Sequence, residues 1–282
     1  MPRNPPSLVR PPAVAGSFYP AQPEALRGAV DRFVSQAAPA PAPGVLRALI
    51  APHAGYVYSG PIAASAYALL ARVSPAPRRL AILGPSHYVA VNGLALPQAD
   101  ALETPLGAVP VDPLAATLPG EFAQVFRSDR AHQREHSLEV QLPFLQRVLP
   151  TGFTLLPFAV GRTTPAEVAE VIEFLWDLPG TLVVVSTDLS HYLPAASARS
   201  IDGRTSRLIV AEDVEGLEPD MACGYHPLSG LLLAARRRGF SIELLDLRNS
   251  ADTAGDADQV VGYGSFAVFE PEERPRAGER LG

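Results

Sequence analysis

Lysine is absent from the 282 residues, so every one of the 23 basic side chains is arginine. That excludes any chemistry built on a lysine Schiff base. Cysteine is almost absent: Cys223 stands alone, which excludes an internal disulfide and fits a reducing, cytoplasmic setting. No apolar run approaches the roughly 20 residues that a membrane helix needs, and MPRNPPSLVRPPAVAGSFYP lacks the apolar core of a signal peptide. A soluble, cytoplasmic protein without a membrane partner is expected. No basic run is visible and the net charge is −6, so nucleic acid is not an expected partner either. Hydrophobic residues at 47% and charged residues at 18% describe an ordinary globular chain able to bury a full core.

What is present is an alternation of two kinds of segment. VLRALIAP, RRLAILGP, FTLLPFAVG, TLVVVSTD, SIELLDL and GYGSFAVF are short apolar runs of the kind that form buried strands. PEALRGAVDRFVSQA, GPIAASAYALLARV, HSLEVQLPFLQRVL, PAEVAEVIEFLWDL and PLSGLLLAARRRG have helical periodicity. The pattern predicts an α/β fold in one domain over 1–282, with a central, largely parallel or mixed sheet flanked by helices. Residues 1–20 read as an extended arm lying on the domain, PAPAPG as a surface loop, and 271–282 as a frayed polar tail.

Three of the predicted strands run into polar chemistry at their carboxyl ends. LRALIAP leads to His53, RRLAILGP to His87, and TLVVVSTD to Asp188 and His191. In open α/β sheets ligands sit outside the carboxyl ends of the strands. A single histidine after a strand is more often a loop or capping residue, and Ser186 and Asp188 are both good N-cap types. Three such ends together point to a site. Cys223 lies in MACGYH, just before a helix whose first turn suits Pro227. A helix N-terminus favours thiolate, the form that binds metal, whereas the plain alternative is a small buried thiol. Gly224 beside it allows an unusual backbone angle. Tyr56, Tyr88, Tyr192 and Tyr225 each lie within three residues of one of these groups and are candidates for pocket walls.

A rival pattern is HQREH, which matches the H-x-x-E-H signature of inverzincin metallopeptidases. On one helix His132 and His136 would bind zinc with Glu135 as base. The apolar helical pattern starts only at Ser137, so the two histidines are not expected to share a helix face. Glu135, His136 and Glu139 are instead candidates for hydrogen bonds behind the site.

The stretches PPAVAGSFYP, IAPHAGYVYSG, LGPSHY, TPLGAVPVD, EHSLEVQLPFLQ, STDLSHY, CGYHPLSGLL and GYGSFAVF, in that order, resemble the Memo family, also called AmmeMemoRadiSam system protein B. The resemblance runs nearly end to end. It implies the fold of the class III extradiol dioxygenases, which hold a non-haem iron on two histidines and a glutamate. Carried over by position, it implies metal ligands at His53, His87 and Cys223, and an acid–base histidine at His191 beside Asp188. A cysteine where those enzymes have glutamate shifts the preference toward copper or zinc while leaving iron(II) open.

The resulting expectation is a metal-dependent redox protein of dioxygenase type, with iron(II) or copper as cofactor, zinc as the alternative metal, and an unknown small molecule as ligand. The competing expectation is a non-catalytic module that binds a peptide or metabolite in the same cleft. The family's name implies a functional link to a radical-SAM protein.

Overall fold

The apolar runs that end near His53, His87 and Asp188 become three neighbouring strands at the centre of one mixed sheet. The computed structural model describes residues 8–38 and 43–271. In chain order the elements are β1 (Val9–Arg10), α1 (Pro23–Gln36), β2 (Gly44–Ala51), α2 (Tyr56–Leu70), β3 (Arg79–Pro85), β4 (Leu94–Leu96), β5 (Ala101–Thr104) and β6 (Gly107–Pro110). There follow α3 (Leu118–Glu121), β7 (Val125–Arg127), α4 (Asp129–His132), α5 (Leu142–Val148), β8 (Thr154–Val160) and α6 (Pro165–Trp176). The chain ends with β9 (Thr181–Ser186), β10 (His191–Leu193), α7 (Ala195–Val210), α8 (Tyr225–Arg238), β11 (Ser241–Asn249) and β12 (Val260–Pro271).

Among the described residues the main sheet has nine strands, in the order β10-β12-β2-β9-β3-β8-β4-β7 with β11 also on β12. Strands β2, β9, β3 and β8 are parallel, while β12 and β4 run antiparallel to their neighbours β2 and β8. The sheet is therefore mixed around a parallel centre, within the expected α/β class. Its central strands are apolar throughout because helices cover both faces. Ile50, Leu83 and Val185 pack with Val168 and Ile172 of α6 and Leu228 and Leu231 of α8. Their neighbours Leu49, Ile82 and Val184 pack with Leu26 of α1, Ala63 of α2 and Phe144 of α5. Helix α6 starts where Thr164 and Glu167 form a capping box ahead of Pro165.

One predicted helix differs in detail and one helix was not predicted. The helix expected over 136–149 shortens to α5, preceded by a 3-10 turn at Glu139–Gln141, because Pro143 suits only a first turn. Helix α7 carries few large apolar residues, burying Ala198, Asp202, Thr205, Ser206 and Ile209, and its periodicity gave no apolar signal. Residues 8–20 do lie on the domain, with β1 paired to β5. The rest of the expected arm, most of the PAPAPG loop and all but the first residue of the expected tail lie outside the described residues. Among the described residues no helix is long and apolar enough to cross a membrane.

Candidate metal centre and its cavity

Strands β2, β9 and β3 are adjacent and parallel, with Ala51 opposite Ser186, so their carboxyl ends open on one edge. Pro52, which has no N–H to continue a ladder, follows β2, and its carbonyl accepts from Gln141 Nε2 at 3.0 Å. His53 comes next and is buried. Its Nδ1 lies 2.8 Å from Ser186 Oγ. That hydroxyl donates its one proton to the Ser137 carbonyl at 2.6 Å and also accepts from Gln141 Nε2 at 2.8 Å. His53 Nδ1 must therefore carry the proton, which leaves Nε2 with its lone pair.

The same logic applies to His87. Its Nδ1 donates to Glu135 at 2.9 Å, and its backbone N–H donates to the other oxygen of that carboxylate at 2.6 Å. Glu135 also accepts the backbone N–H groups of His136 and Ser137, at 3.0 and 2.9 Å. Although Glu135 is buried, these bonds, led by the one from His87, hold its carboxyl down at about 2, against the opposing effect of burial. A carboxylate behind an imidazole fixes the tautomer and turns the remaining nitrogen outward.

His136 completes the group. One ring nitrogen each of His53, His87 and His136 lies within 4.8 Å of the other two. The His136 ring stacks on His87 at 4.7 Å and meets His53 edge-on at 5.5 Å. Its Nδ1 is buried and has no hydrogen-bond partner. Burial, reinforced by the neighbouring imidazoles, pushes His53 down to about 3 and His136 down to about 4. Three clustered imidazoles, two with Nδ1 held by a hydrogen bond and one with an orphaned nitrogen, fit a divalent cation. Sequence reasoning placed His136 behind the site; the structure places it in the cluster. No strand leads into it, which removed the signal that found the other two.

Cys223 reaches the same place from the start of α8. Its Sγ is 3.4 Å from His53 Nε2 and accepts the Asp188 N–H at 3.2 Å. The expected lowering of its pKa by the helix N-terminus is outweighed. Burial, reinforced by the nearby Asp188 carboxyl, pushes the thiol up to about 12. Gly224 likewise adopts an ordinary φ of −87°. It is needed for space, since a Cβ there would lie 2.6 Å from Thr187 Cβ.

The cluster forms the floor of a cavity of about 760 Å³ that also exposes Asp188, His191, Tyr88 and Tyr192. Burial pushes the Asp188 carboxyl up, and its Oδ1 accepts the His53 N–H at 2.7 Å. Asp188 thus bonds to His53 and not to His191. The turn before His191 is held instead by Asp202 of α7, which accepts from Ser190 N at 3.0 Å and Ser190 Oγ at 3.1 Å. Buried polar residues on a helix without an apolar stripe left no sequence signal for this support.

Two expected pocket residues, Tyr56 and Tyr225, and one expected supporting residue, Glu139, stand elsewhere. Tyr56 is buried against Phe144 and donates to the Val140 carbonyl at 2.8 Å. Tyr225 begins α8 and packs on the core. Glu139, fully buried, receives Arg10, the Tyr19 hydroxyl and the N–H groups of Ala13 and Val14, so it fastens the N-terminal arm. That arm brings Phe18 onto the His136 ring at 4.6 Å. The HQREH segment does not form a peptidase helix: α4 ends at His132, whose Nε2 donates to the Ala95 carbonyl at 2.8 Å, away from His136.

Residues 10–267 match the family model described as Memo-like protein. The chain is 37% identical over 279 residues to a MEMO1 family protein of Methanopyrus kandleri, covering 92% of this chain and 98% of that one. It is 38% identical over 276 residues to a MEMO1 family protein of Archaeoglobus fulgidus, covering 90% and 97%. A MEMO1 family protein of Nitrosopumilus maritimus is 32% identical over 277 residues, covering 92% and 99%.

Proposed function

The chain belongs to the Memo family, and we propose that it is a metal-binding redox protein, an oxygen-dependent oxidoreductase of extradiol dioxygenase type acting on a small molecule. The observation that carries this reading is the set of three imidazoles with nitrogens within 4.8 Å of one another at the floor of a ligand-sized cavity. His53, His87 and His136 would hold the ion, iron(II) or copper, with the thiolate of Cys223 as a fourth donor beside His53. A mixed nitrogen and sulfur set suits either metal. When bound, such an ion supplies Lewis acidity and a redox couple.

The remaining groups have roles of their own. His191, at the cavity wall, exchanges a proton with the ligand. Asp188 takes a proton from the same ligand and holds the His53 backbone in place. Glu135 and Ser186 keep the two Nδ1 protons where they are, so that both Nε2 atoms face the cavity.

The test is metal content after anaerobic reconstitution with iron and with copper, for wild type beside His53→Ala, His136→Ala and Cys223→Ser. About one ion per wild-type chain, lost in both histidine variants, supports the site. Oxygen consumption with small aromatic substrates then tests the redox activity. Metal-free protein in every case would leave the cavity as a binding site for a peptide or metabolite.

A further inference from the structure

Away from the histidines, the cavity is built differently from its floor. Its outer wall comes from Tyr58 of α2, Tyr192 of β10, and the segment between β11 and β12 that carries Asp256 and Gln259. That segment is tied down. Asn249 and Asp252 form a capping box, Gly255 N–H donates to the Ser250 carbonyl at 2.7 Å, and Thr253 Oγ1 donates to the Tyr58 carbonyl at 2.9 Å. Tyr192 is 71% exposed and sits at φ 57°, a left-handed conformation that is strained for a bulky residue. Strain of this kind persists where surrounding structure imposes it, most often at ligand sites.

The charge of this wall is one-sided. Among the described residues that line the cavity there is no arginine, and the chain has no lysine. Asp256 contributes a carboxylate to the same cavity that Gln259, Tyr58 and Tyr192 line. Arg134 lies over the ring of Tyr88, 5.0 Å from its centroid, and does not line the cavity. Binding a carboxylate or a phosphate calls for arginine or lysine donors. Aromatic faces with a nearby carboxylate recognise an ammonium.

We propose that the outer half of the cavity selects a ligand whose aromatic ring carries a protonated amine, with the ring against Tyr58 and Tyr192 and the amine on Asp256, and that it rejects the matching aromatic acid. This rests on the cavity being a ligand site and not on its metal. The test is calorimetric titration of metal-free protein with tyramine and with 3-(4-hydroxyphenyl)propionate, which share a ring and differ in the sign of charge. Wild type is expected to prefer the amine by about ten-fold, the size set by one exposed ion pair and one cation–π contact. Asp256→Asn should narrow that ratio to about three-fold, and Tyr192→Ala should weaken the amine further than the acid. Equal or tighter binding of the acid overturns the proposal, as does an amine affinity untouched by Asp256→Asn or the absence of binding by either compound. None of these results bears on the metal content, which separately tests the redox reading.

Discussion

The Sγ of Cys223 stands 3.4 Å from Nε2 of His53, the ring nitrogen that Ser186 leaves free. Without metal the neutral thiol can donate to that nitrogen, and a cation entering the site would have to displace its proton. In the metal-free protein, iodoacetamide at pH 8 is expected to label Cys223 about 1,000-fold more slowly than a peptide thiol, because burial holds it near 12. Loading with cobalt(II) should add a thiolate-to-cobalt absorption band that Cys223→Ser lacks. Labelling at the peptide rate would show that the thiol is not held in this way.

Glu135 supports two of the three imidazoles at once, through His87 Nδ1 and the N–H groups of His87 and His136. Glu135→Gln keeps the shape and weakens these bonds. Metal affinity, read by competition with a coloured chelator, is expected to fall about 10–100-fold. An unchanged affinity would mean that the tautomer of His87 is fixed by something else.

His132 offers a pH signature separate from the cluster. Burial pushes it down to about 4, with Arg10 adding to the effect and the Ala95 carbonyl, Asp129 and Glu135 opposing it. The folded state thus keeps this ring neutral while the unfolded chain takes up a proton below about 6.5. Its contribution to stability is complete above that pH and is lost as pH falls toward 4. The slope approaches about 1.4 kcal/mol per pH unit within this window. Urea melts of wild type and His132→Gln at pH 7 and pH 5 should differ by that share, and parallel behaviour would refute it.

Beyond the pairing of β1 with β5, one buried carboxylate gathers several groups of the arm. Glu139→Ala strips the buried Arg10 of its partner and leaves the N–H groups of Ala13 and Val14 without theirs. A loss of about 3–5 kcal/mol is expected in chemical melts. Limited proteolysis should then cut first within residues 8–22, which loosens Phe18 from His136. A melting curve like that of wild type would show that the arm is held without this contact.

Much of the site could be read along the chain because it stands on strand ends. His53, His87 and Asp188 each follow an apolar run, and the sheet order that makes those runs neighbours fulfils the expectation that they converge. His136 escaped, since it follows a four-residue helix and a turn, where hydrophobic periodicity carries no information. Asp202 escaped for a related reason: α7 buries small and polar side chains, so its inner face does not stand out. Tyr56 and Tyr225 misled through proximity in sequence, because a helix turns successive side chains to different sides.

Among the described residues β12 is the last strand in chain order, yet it lies between β2 and β11 and hydrogen-bonds to both as well as to β10. During synthesis on the ribosome, β2 therefore presents a bare edge until the final strand has emerged. His53 and His87 would leave the exit tunnel long before Cys223 and before the sheet edge that stiffens β2 is covered. A chain stalled before residue 260 would therefore expose an apolar strand edge to chaperones in place of a finished cavity.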